Sequence, residues 1–235
     1  MPAIMDQNLM SPLPKNGKEN VPAAYPCCIC DHRAQAIPRP CRLLEARDSR
    51  SIVTYRGFMS KADKARLCAE IDAFLSTPKL LKGPQPTWRP NGRQDQLDAR
   101  WPVEETGGIV RAHLAFRYNR VSTNEPSVSL IYQRRKVCRV DVKPKEEWDC
   151  NPPQAMKLGL PGQVFGPHIH RWEHNREYVL EHLPPDEWEI PIKEAISHST
   201  QMLGHILAFI CDQCQIQFTS EQRDLVPPSR EDLFR

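Results

Sequence analysis

Apolar residues recur at every second position through Val110-Arg111-Ala112-His113-Leu114-Ala115-Phe116-Arg117-Tyr118, and alternation of that kind predicts a strand with one face in a core. The other face of that strand carries Arg111, His113 and Arg117. After Thr123-Asn124-Glu125-Pro126, which reads as a turn, Val128, Leu130 and Tyr132 repeat the period of two. Arg134-Arg135-Lys136 then reads as a basic turn, and Cys138, Val140 and Val142 alternate with Arg139, Asp141 and Lys143. Three strands joined by short turns predict an antiparallel meander with one apolar and one charged face. Upstream, Ser60 opens a helix with Asp63 three residues on, and Leu67, Cys68, Ile71, Phe74 and Leu75 share one helical face. A second helix is expected from about Ile192 to Cys211 on a broad apolar stripe, with a short strand over residues 215–218 after it.

Between these elements the pattern weakens. Residues 42–56 read as two short strands. Residues 78–106 hold five prolines and read as a long loop, as do residues 144–163. Phe165 to Trp172 reads as one strand, which would set His168, His170 and Trp172 on one face. Residues 1–40 sustain no period and are expected to form a mobile arm, with a single domain over 41–222 and a frayed tail over 223–235. The predicted class is α+β: an antiparallel sheet of four to six strands packed on two main helices.

Composition narrows the picture little. The chain has 235 residues and a net charge of +3, and its 40% hydrophobic content suits a folded domain. No apolar run approaches the roughly 18 residues of a membrane span. The first residues lack a basic segment followed by an apolar core, so the expected location is the cytoplasm. Nine cysteines, an odd number, argue for reduced thiols rather than a disulfide framework. A zinc knuckle can be drawn from Cys27, Cys30, His32 and Cys41, whereas Cys211 and Cys214 end an apolar run and read as small buried groups.

The local charge is more telling than the total. From Arg111 to Lys145 nine basic residues face only Glu125 and Asp141. A basic sheet face of this kind suits a phosphate backbone, and Arg111, His113, Arg117, Arg134, Arg135, Lys136 and Trp172 are the expected nucleic-acid contacts. Alternatively the face is merely solvated and offset by the acidic stretch at 181–189.

His168-Ile169-His170 is the sharpest chemical feature. Two imidazoles at i and i+2 of a strand point the same way, roughly 6–7 Å apart along the backbone. With Asp141 they resemble a two-histidine, one-carboxylate set for a divalent metal. Without a metal, one histidine could take a 2′-hydroxyl proton and the other protonate the leaving oxygen. Arg139 and Arg117 would then stabilise the phosphorane, with Asp141 orienting an imidazole. A third reading leaves the pair purely structural. The cupin and metallo-β-lactamase patterns both fail, because Glu173 and Glu177 are misplaced for the first and Trp172-Glu173-His174 breaks the second. No phosphate-binding glycine loop or nucleophile elbow is present.

Three short pieces resemble an uncharacterised family of small bacterial proteins common on mobile elements. They are Val137-Cys138-Arg139-Val140-Asp141-Val142, Gly166-Pro167-His168-Ile169-His170-Arg171-Trp172 and Cys214-Gln215-Ile216, within about residues 107–218. Asn151-Pro152 matches the loop expected before the second piece, although Pro153-Gln154 replaces the usual Asp-Gly. A fainter likeness is to TumE-type toxins. The resemblance implies a bacterial, mobile or defence-related setting and no settled activity. The readings carried forward are a metal-independent, toxin-like ribonuclease acting on RNA; a non-catalytic protein docking nucleic acid or a cognate protein; and a metal-dependent enzyme.

Overall fold

A computed structural model of the chain describes residues 59–121, 125–196 and 203–227, so the arm with its cysteines, the strands expected at 42–56 and residues 228–235 lie outside it. Helix α1 (Lys61–Leu75) begins where the sequence places it. Ser60 Oγ accepts from the Asp63 backbone N–H at 3.1 Å, and the Asp63 carboxylate reaches back to Ser60 N, which closes a capping box. Cys68, Ile71 and Phe74 form its buried stripe. No basic residue ends the helix, and the charge instead comes from Lys79, whose buried ammonium donates to Phe74 O at 2.7 Å and to Thr77 O. Burial lowers the Lys79 pKa to about 8.

The meander appears as β4 (Ala112–Asn119), β5 (Ser127–Tyr132) and β6 (Arg135–Asp141). The turn between β5 and β6 is Gln133-Arg134, at φ 43° and 70°, so Arg135 and Lys136 belong to the strand rather than to the turn. A bulge on β6 pairs Leu130 with Cys138 but Ile131 with Lys136. That extra residue puts Lys136 on the same face as Arg139 and Asp141.

The proline-rich stretch is a correction. It contains β1 (Lys79–Leu81), β2 (Arg89–Asn91) and β3 (Arg93–Glu105), the longest strand described. Leu97, Ala99, Trp101 and Val103 alternate inward along β3. Pro102 is tolerated because its carbonyl accepts from Lys82 N at 2.9 Å. Its ring nitrogen therefore faces the end of β1, where no ladder acceptor is lost. The loop at 144–163 is likewise broken by β7 (Trp148–Cys150) and the short helix α2 (Gln154–Lys157), and β8 (Gln163–Phe165) pairs with β7 as a separate two-stranded sheet.

The strand expected from Phe165 to Trp172 is three residues long, β9 (His168–His170), and Trp172 starts helix α3 (Trp172–His182). Trp172 thus does not share a face with the histidines. The second long helix also begins later than expected: residues 191–196 run extended with β10 (Glu194–Ala195), and helix α4 spans Leu203–Gln213. Strand β11 (Ile216–Gln217) and helix α5 (Ser220–Arg223) follow, and Leu225 is still in the core.

Among the described residues the main sheet has nine strands rather than four to six, in the order β10-β9-β6-β5-β4-β3-β1-β11 with β2 beside β3. All its pairs are antiparallel except β1 with β11, and with five helices among the described residues the fold is α+β. Register explains the two faces. One transverse row reads Ala99, Phe116, Val128, Val140, Ile169, all buried toward the helices. The flanking rows read Asp98, Arg117, Ser127, Asp141, His168 and Arg100, Ala115, Ser129, Arg139, His170 on the opposite face. Among the described residues no helix is long and apolar enough to cross a membrane.

Candidate metal centre

The paired registers Asp141–His168 and Arg139–His170 bring four of the expected residues into one cluster between β6 and β9. Both imidazoles are deeply buried, His168 at 1% and His170 at 5% exposure. Each is oriented through Nδ1. His168 Nδ1–H donates to Gly166 O at 2.9 Å, and His170 Nδ1–H donates to Ile190 O at 2.5 Å. Gly166 sits at φ 66°, with Lys145 Cα only 3.4 Å from where a Cβ would be, so glycine suits the turn that aims this carbonyl.

With the proton on Nδ1, each Nε2 presents a lone pair. Those lone pairs meet oxygen rather than a donor. His170 Nε2 lies 3.3 Å and His168 Nε2 3.6 Å from Asp141 Oδ2, and His168 Nε2 lies 3.4 Å from Asp149 Oδ2. Among the described residues neither Nε2 has a hydrogen-bond partner, although both are sealed from solvent. Two acceptors buried against carboxylates are costly unless a cation sits between them. Around an ion with bonds of 2.0–2.1 Å, adjacent tetrahedral ligands stand about 3.4 Å apart, which matches these separations. The Asp141, His168 and His170 donor atoms all fall within 4.8 Å of one another.

The electrostatics agree with that geometry. Burial alone would raise the Asp141 pKa, but hydrogen bonds from the two imidazoles, where a proton takes the ion's place on Nε2, and the Arg139 charge hold it far below the usual carboxylate range. Arg139 Nε stands 2.8 Å from both Asp141 oxygens. Burial lowers the His170 pKa, against the pull of Asp141. An ionised carboxylate beside a neutral imidazole is the ligand state a divalent ion requires. Asp149 is also held below the ordinary range: burial opposes this, and the Lys143 bond at 2.9 Å and the nearby Lys193 charge overcome it.

The surrounding shell was not legible in the sequence. Asn175 donates to Arg171 O and Ile192 O and accepts from Ile192 N, and Asn151 donates to Pro161 O and Lys193 O and accepts from Lys193 N. These two buried amides clamp the segment whose Ile190 carbonyl orients His170. Asp149 was missed because it reaches the site from β7, inside a stretch read as loop. Its nearness to the histidines is a tertiary fact with no local pattern.

The other expected contacts divide. Arg134, Arg135, Lys136 and Arg139 line a cleft of about 400 Å³ with His170, Trp188, Glu189, Ile190 and Pro191. Arg117 lies in the same row as Asp141, two strands away, and pairs loosely with Asp98 at 3.7 Å. Arg111 does not join them: it is bonded to Glu105 at 2.6 Å and lies over the Tyr132 ring. His113 is half-buried on β4, and burial lowers its pKa. Trp172 is not an open stacking surface, because it is 5% exposed, stacks on Trp188 and donates Nε1–H to Asp72. Cys211 and Cys214 are buried free thiols, as expected of small apolar groups. The zinc knuckle at Cys27, Cys30, His32 and Cys41 lies outside the described residues.

Comparison of the chain with family models, with curated proteins and with solved structures returns no match.

Proposed function

We propose that the protein is a metal-dependent enzyme whose divalent ion is held by His168, His170 and Asp141, with Asp149 as the fourth ligand, and whose substrate is anionic. One observation carries the reading: two sealed imidazole lone pairs converge on one carboxylate at separations suited to a shared ion. A divalent ion in such a set supplies Lewis acidity toward a phosphoryl or carbonyl oxygen. The chain's own groups do the rest. Gly166 O and Ile190 O fix the ring orientations, Arg139 holds Asp141 ionised, and the basic cleft beside His170 admits negative charge.

The metal-independent ribonuclease gains less support from this arrangement. A general acid and base must exchange substrate protons, whereas each ring has Nδ1 committed to a backbone carbonyl and Nε2 turned onto the Asp141 carboxylate. The bacterial mobile-element or defence setting is proposed on the three motifs alone.

The test is calorimetric titration of chelator-treated full chain with zinc, cobalt(II) and manganese(II). The expected result is one saturable site for at least one of these ions, lost in the His168→Ala/His170→Ala double variant. Absence of saturable binding, or equal binding by the double variant, would overturn the reading.

A further inference from the structure

Cations that stand together without partners repel one another, and a fold keeps them so at a cost unless an anion offsets it. Among the described residues Arg134, Arg135 and Lys136 have no carboxylate within ion-pair distance. They are consecutive, yet the turn and the bulge aim all three at one cleft: Arg134 at φ 70° in the turn, Arg135 beside the Trp188 ring, and Lys136 on the face of Arg139. Lys136 has a lowered pKa, through burial first and then through Arg139 and Arg117. Among the described residues Glu189 is the only acidic one lining the cleft. The inner wall is His170 and Arg139, so anything seated among these cations abuts the candidate metal centre.

Shape and chemistry narrow the occupant. A volume of about 400 Å³ suits one or two nucleotides and excludes a duplex. Trp188 is already engaged, with Trp172 stacked on it at 5.6 Å and Arg135 over its ring. Charge without an open aromatic surface reads phosphate rather than base.

We infer that the cleft lined by Arg134, Arg135, Lys136 and Arg139 binds the phosphodiester chain of a single-stranded polynucleotide and delivers it to the centre at His168, His170 and Asp141. This rests on the metal-dependent reading for its chemistry, but not for its binding. Hydrolysis there adds water across one P–O ester bond. The water oxygen joins phosphorus, the bond to the departing sugar oxygen breaks, and a proton from the water ends on that oxygen. No oxidant or reductant is needed.

The experiment is fluorescence anisotropy of the full chain with fluorescein-labelled U12 and dT12 strands and a labelled 12-bp duplex, with and without zinc. Strand binding is expected without added metal, with log affinity falling against log salt at a slope of about −2 for three phosphate contacts. Arg134→Ala/Arg135→Ala/Lys136→Ala should lose tenfold or more and flatten that slope, whereas Glu189→Gln should tighten binding. The three residues are exposed or half-exposed, so the variant should retain its thermal melting temperature. Tighter binding of U12 or of dT12 assigns RNA or DNA as the source, and either supports the inference. Duplex binding as tight as the strands', or a triple variant that binds like the parent, overturns it. Strand binding that survives alongside a failed metal titration keeps the cleft and removes the metal reading.

Discussion

Asp141→Asn is expected to abolish stoichiometric metal binding while leaving the fold in place. The carboxylate supplies the one oxygen that both imidazole Nε2 atoms face, at 3.3 and 3.6 Å. Asparagine is nearly isosteric, but its carbonyl is neutral and its amide would turn donors toward Arg139. Arg139→Ala tests a different link, because Arg139 touches Asp141 and is not itself a donor to the ion. Losing such an outer partner costs roughly 10–100-fold in affinity. Asp141→Asn should therefore exceed that range, and Arg139→Ala should fall within it. Calorimetry on both variants, with circular dichroism to confirm folding, gives the order directly. Equal losses would mean that Asp141 acts through charge alone and not as a ligand.

Trp101→Ala is expected to produce the largest loss of stability of any single change on β3, about 3–5 kcal/mol. Trp101 has no exposed surface, stands across from Leu114 on β4 and meets the Phe116 ring at 6.5 Å. Its indole N–H is buried without a partner among the described residues. Trp101→Phe should therefore cost much less, since it removes that orphaned donor along with part of the ring. Urea denaturation of the two variants checks both claims. Near-equal midpoints for parent and Trp101→Ala would show that β3 is not the sheet's interior strand described above.

The contrast between β3 and the meander shows what local pattern can reveal. In β4, β5 and β6, alternation is uninterrupted by proline, and the faces follow from a period of two. Leu97, Ala99, Trp101 and Val103 alternate just as regularly, but Pro102 within the run and four prolines before it point to a loop. Pro102 is harmless only because of where β1 ends, and that is a property of the partner strand. Helix α3 was hidden for another reason: its buried stripe of Trp172, Asn175 and Val179 has an amide at its centre, so no apolar period survives. The apolar run after Ile190 misled in the opposite direction. Ile192 and Ala195 fit helical spacing, but the segment is held extended by Asn175 and by pairing with β9.

The site was half legible for the same reasons. His168 and His170 converge because i and i+2 on a strand must share a face. Asp141 joins them because its own strand pairs with theirs in register. Asp149, Asn151 and Asn175 come from segments whose placement depends on the finished fold. Trp172 was misassigned because strand alternation was carried two residues past the end of β9, onto the first residue of α3.

The most direct test of the central claim is X-ray absorption spectroscopy at the metal edge of the full chain loaded with one equivalent of zinc. The account predicts about four light donors at 2.0–2.1 Å, with the multiple-scattering signature of two imidazoles and no sulfur shell. A shell at about 2.3 Å from sulfur would place the ion on cysteines such as Cys27, Cys30 and Cys41 and would contradict the assignment to His168, His170 and Asp141.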